Sequence, residues 1–152
     1  MKSLPGIQDR QGGAYLCFVE LTTRLDTWFA LRLTSLRCSA DTKAYVTGVL
    51  SRFRTAEDDL SNVSIVLAWR DASMKGDFAQ FQRIGDWVLW VDALCPEHIS
   101  QNREVVETIG RQSFYSCHRI MKGQWRVFEE LADELPKIAV GVRKLVQISH
   151  TL

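Results

Sequence analysis

FAQFQRIGDWVLWVDALCPEHISQNREVVETIGRQSFYSCHRIM, residues 78–121, holds two stretches of helix-period apolar residues divided by Cys95-Pro96-Glu97. Asp77 can cap the first stretch, Pro96 closes it, and Ser100 is the expected cap of a second helix reaching about Met121. The first stretch is apolar nearly all round, which predicts a helix enclosed on several sides. If the two helices fold back as an antiparallel hairpin, residues whose numbers sum to about 195 lie level. Gly85 then meets Gly110, Phe81 meets Phe114, Phe78 meets Cys117 and Asp92 meets Arg103. A glycine inside a helix costs about 1 kcal/mol relative to alanine, so two at one level predict a close helix crossing there.

Outward from this hairpin the chain keeps the same period. Phe18, Leu21, Leu25, Trp28, Phe29 and Leu36 mark one face of a helix running to about Leu36. Ser39 is an N-cap signal for a second helix and Ser61 for a third. Gly123 separates the hairpin from a helix over Trp125–Leu135, and Pro136 fits the first turn of a last helix. Strand alternation is weak throughout. The expected fold is therefore all-α: a single-domain bundle of six or seven helices around a central antiparallel helical hairpin at about 78–121. Residues 1–13, polar and containing Pro5, Gly6, Gly12 and Gly13, read as a flexible N-terminal arm, and 14–152 as one helical domain.

Composition narrows the function classes. The 152 residues carry 19 basic and 18 acidic side chains, a net charge of +1, with the signs interspersed. No broad positive field is present to draw nucleic acid or anionic lipid. The apolar run Ala14–Val19 is too short for a membrane span or a signal segment, which predicts a cytoplasmic protein. Cys17, Cys38, Cys95 and Cys117 have no CxxC spacing and read as reduced thiols rather than disulfides.

Several segments carry a resemblance: Gly76-Asp77-Phe78, Phe81 to Trp90, Cys95-Pro96-Glu97, Ile109 to Tyr115, and Phe128-Glu129-Glu130-Leu131-Ala132. Together they resemble a group of small bacterial all-helical proteins of unknown function. The resemblance implies a helical fold and brings no activity, cofactor or catalytic residue.

No residues here assemble a catalytic signature. Cys95 and His98 with Cys117 and His118 form the one metal-like set, and adjacent helical positions such as 117 and 118 point about 100° apart, so four ligands do not converge. Cys117 faces the packed side and His118 the other, which argues against a thiol and imidazole pair. The Glu-x-x-His motif of carboxylate di-iron bundles is missing. No metal and no cofactor are expected.

Two readings of function follow. In the first, the chain is a non-catalytic interaction or oligomerising module, a homodimer or a partner-binding protein. Its 15 aromatic residues include Trp28, Phe29, Trp125 and Phe128 as interface candidates, because one small domain has limited room to enclose them all. In the second, a cavity between helices binds a small molecule through the polar anchors Arg32, Asp86, Asp92 or Arg103. Each anchor also has a structural reading. Asp92 pairs with Arg103, and Arg32 either lies along its apolar neighbours or answers Asp86.

Overall fold

A computed structural model describes residues 27–52, 65–99 and 102–151. The expected N-terminal arm, most of the first expected helix, the Ser61 cap and the Ser100 cap fall outside these residues. Every described element is helical. Residues 27–32 form α1, which tightens into a 3-10 turn, Leu33–Ser35. Then come α2 (Ala40–Arg52), α3 (Ile65–Lys75), α4 (Phe78–Leu94), a 3-10 turn at Pro96–His98, α5 (Arg103–Ile120) and α6 (Val127–Thr151).

Local chemistry accounts for most of the boundaries. The Ser39 hydroxyl accepts the Thr42 amide at the start of α2. Gly76, at φ +63°, ends α3, and the Asp77 carboxylate accepts the Gln80 amide to open α4 immediately afterwards. Asn102 caps α5 by accepting the amides of Glu104 and Val105. At the other end of α5, the Gly123 amide reaches the His118 carbonyl and the Lys122 amide reaches that of Arg119. This is a Schellman closure, with Lys122 rather than glycine held at φ 56°.

The expected break at Pro136 does not occur: α6 continues through it. Proline offers no amide to the carbonyl four residues back, which here belongs to Ala132. Arg111 Nε, from α5, donates to that oxygen at 2.8 Å. The group that proline leaves unmet is satisfied across the helix interface.

The core lies between α4, α5 and α6, with α2 packed on α4 and α6, and α3 on α4 and α5. Phe78 contacts Phe128 while Asp92 contacts Arg143, so α4 and α6 run parallel. Gly85 faces Phe114 and Gly110 faces Val88, so α5 runs antiparallel to α4.

The hairpin is as expected, but its mid-point register is not. The glycines do not seat against each other; each receives a side chain from the opposite helix. A Cβ on Gly85 would lie 2.8 Å from the Phe114 ring, and one on Gly110 would lie 2.6 Å from a Val88 methyl. A ring or branched side chain fills the space above a glycine at ordinary contact distance, where two opposed glycines would leave a void. Phe114 is fully buried, and burying a side chain of that size contributes about 1.5–3 kcal/mol.

Candidate functional site

Asp86 lies inside the bundle, 3% exposed. Tyr45 Oη donates to its Oδ1 at 2.5 Å, and Arg52 Nη2 to its Oδ2 at 2.9 Å. Gln82 Nε2 in turn donates to the tyrosine oxygen at 2.9 Å. Burial pushes the Asp86 carboxyl up to about 6, against the opposing pull of the Tyr45 and Arg52 hydrogen bonds. Burial and the neighbouring Asp86 also hold the Tyr45 hydroxyl protonated far above the ordinary phenol range. Arg32 does not answer Asp86. It is exposed, with its guanidinium 5.0 Å from the Trp28 ring centroid. The α2 residues Tyr45 and Arg52 reach Asp86 because α2 packs across α4, a pairing between helices that periodicity does not encode.

Asp92, also on α4, is fully buried. Arg103 approaches its Oδ1 through Nε at 2.8 Å and Nη2 at 2.7 Å. Arg143 Nη2 donates to the Asp92 backbone carbonyl and lies 3.9 Å from Oδ1. Arg103 Nε is also 3.6 Å from Glu107 Oε2, one turn along α5. Asp86, Asp92 and Arg103 are therefore engaged with groups of the chain itself, and Arg32 stands apart from them. The structure does not bring the four together.

The described cysteines are free thiols. Cys117 is buried, with Sγ 4.0 Å from the Phe78 carbonyl, and burial pushes its thiol up to about 12. Cys38 is likewise pushed up to about 11, by burial and by Glu130. Such thiols are poor nucleophiles at neutral pH. His118 rests beside the Tyr115 ring. Among the described residues, no three His, Cys, Asp or Glu side chains converge as metal ligands. No described helix is long and apolar enough to cross a membrane.

The four interface candidates separate in the structure. Phe128 is 1% exposed and Phe29 6%, so neither can form a docking face. Phe128 is enclosed by Tyr45, Phe78, Phe114 and Trp125. Trp28 is half-buried and packs edge-on against Phe29. Trp125, two residues ahead of α6, is 37% exposed, while one side of its ring rests on Tyr45 and Phe128.

Trp125 lines an open groove of about 730 Å³ where the N-termini of α2 and α6 meet. A contact between distant residues builds this corner. Glu130, in the first turns of α6, accepts hydrogen bonds from the Ser39 amide, from Ser39 Oγ at 2.8 Å and from Thr42 Oγ1 at 2.6 Å. In a capping box the glutamate three residues on returns to the cap amide; here Glu130 does so from another helix, 91 residues away. Partial burial works to raise its carboxyl, but the Thr42 and Ser39 hydrogen bonds outweigh this and leave it below the ordinary range.

Asp41, Glu129, Glu130, Asp133 and Glu134 line the groove, with Arg37 and Arg126 as its basic residues. Two positive charges against five negative give 2 − 5 = −3, in a chain whose net charge is +1. Asp41, Glu129 and Glu130 are near helix starts, where the dipole favours acids. Asp133 and Glu134 lie a turn further on. The recurrence of acids at 129, 130, 133 and 134 was the sequence signal for this face.

Comparison with family models, curated proteins and solved structures finds no match to this chain.

Proposed function

We propose that the protein is a non-catalytic interaction module whose Trp125 groove takes a basic segment of a partner protein. The observation that carries this reading is the placement of a 37% exposed tryptophan in a groove with a charge excess of −3. An indole face attracts guanidinium and ammonium groups, and the surrounding carboxylates add charge complementarity. Because Trp125 is braced by Tyr45 and Phe128, little side-chain freedom remains to be lost on binding. Asp86 and Asp92, two of the polar anchors of the small-molecule reading, are buried and bonded to their partners, whereas Glu129 and Glu134, paired with Arg126 and Lys137, keep 41% and 44% of their side chains exposed, which favours the interaction reading.

A twofold dimer formed through the same groove would set one acidic surface against its copy, so the proposed occupant is a different, basic chain. Calorimetric titration with a hexa-arginine amide peptide tests this. Binding that weakens at least tenfold in Trp125→Ala and in the double variant Glu129→Gln/Asp133→Asn supports the reading. Binding indifferent to both changes, or sedimentation of a homodimer that buries Trp125, overturns it.

A further inference from the structure

Building on a basic segment seated in the Trp125 groove, we propose that the same partner segment continues past Arg37 and Glu134 into a second groove, where it lays down apolar side chains and then an acidic end. This second groove, of about 790 Å³, lies between α6, from Glu134 to Leu145, and residues 35–37. Arg37 and Glu134 line both grooves, so the two adjoin. Their charges are opposite. Arg37, Lys137 and Lys144 stand against Glu134 in the second groove, and three positive charges against one negative give 3 − 1 = +2, beside the −3 of the first. Lys137 Nζ is 3.5 Å from Glu134 Oε1, which leaves the excess with Arg37 and Lys144. A uniformly basic segment would be attracted by one groove and repelled by the other, whereas a segment whose charge reverses along its length complements both.

The second groove is also the more apolar in its lining, with Leu36, Pro136, Ile138, Val140 and Leu145. Leu36 is 6% exposed, and its Cδ1 fills the space over Gly141, 2.8 Å from where a Cβ would stand. The floor is therefore packed in place, and little ordering is required of it on binding. Val140, 39% exposed, is left as the contact for an incoming apolar side chain. Spacing sets the order of the partner's residues. Asp133 in the first groove and Lys144 in the second are about 16 Å apart along α6, a span that an extended chain covers in about five residues. The basic and acidic ends of the segment should be separated by about that length, with the apolar residues between them over Val140.

Calorimetric titration of the whole chain tests the extension separately from the first groove. The probes are a peptide of three arginines, Gly-Leu-Leu-Gly and three glutamates, the same sequence reversed, and versions of both with serine in place of leucine and glutamate. In at least one chain direction the leucine and glutamate peptide should bind at least tenfold tighter than its serine version. That gain should vanish in Lys137→Gln/Lys144→Gln and fall in Val140→Ser, while both variants keep at least wild-type affinity for hexa-arginine amide. No gain in either direction, a gain that survives both variants, or a sedimenting homodimer that dissociates in Val140→Ser overturns the second groove, even where hexa-arginine still binds. Wild-type protein that fails to bind hexa-arginine amide overturns the reading of the first groove, and this extension with it.

Discussion

Arg111 and Ala132 are joined by a hydrogen bond that exists because of a third residue. Arg111 Nε donates at 2.8 Å to the Ala132 carbonyl, which Pro136 leaves without its helical amide. The bond allows one helix to run through a proline and ties α5 to α6 at the same point. Arg111→Met should cost about 1–2 kcal/mol, because it strands a partly buried carbonyl. In a Pro136→Ala background the restored amide should satisfy that oxygen, and the same Arg111 change should cost much less. A double-mutant cycle by urea unfolding measures the coupling directly.

Gly110→Ala should destabilise the protein by about 1–3 kcal/mol even though alanine is the better helix former. The new Cβ would stand 2.6 Å from a Val88 methyl and 2.8 Å from Val88 Cβ, and a β-branched side chain has little freedom to turn away. Thermal melts of this single variant suffice, with a lowered melting temperature as the expected result.

Lys122→Gly should act in the opposite direction. Lys122 holds φ 56° at the close of α5, a conformation that glycine adopts without steric cost. The expected gain is up to about 1 kcal/mol, reduced by the extra freedom of glycine in the unfolded chain. Chemical denaturation should show a higher midpoint with an unchanged slope.

Stability should be greatest in mildly acidic solution. Asp86 and Glu107 have folded values raised from 3.8 to about 6 and from 4.5 to about 7. Their contributions are fully present below the ordinary carboxylate range and are lost as pH rises through those raised values. Glu130 is shifted downward, so its contribution is present above the ordinary glutamate value and lost on further acidification. Melting temperature should therefore be highest at about pH 4, where the loss of the Glu130 contribution on the acid side meets that of Asp86 and Glu107 on the other, and should decline steadily toward pH 8.

The helices were legible because their signals are local: apolar spacing, the Ser39 and Asp77 caps, and the stop at Pro96. The contact of Asp92 with Arg103 was legible too, since both residues lie near the ends of one hairpin. What escaped depends on chain segments far apart in sequence. Pro136 reads as a helix start unless Arg111 is known to stand opposite, and the tie from Glu130 to Ser39 crosses 91 positions. The mid-hairpin register shifted because α5 starts at Arg103, after the 3-10 turn, and because the glycines admit Phe114 and Val88 rather than one another. Arg32 shared a stripe with apolar residues, yet Arg52 from the next helix is the one that reaches Asp86.

The central claim, that the Trp125 groove takes a basic partner segment, is tested most directly by amide and indole NMR of the labelled chain during addition of hexa-arginine amide. Shifts concentrated on the Trp125 indole and on the amides of residues 37–41 and 125–134, weakening with added salt and missing with hexaglutamate, are the predicted result. An undisturbed Trp125 indole, or shifts spread evenly over the surface, would contradict it.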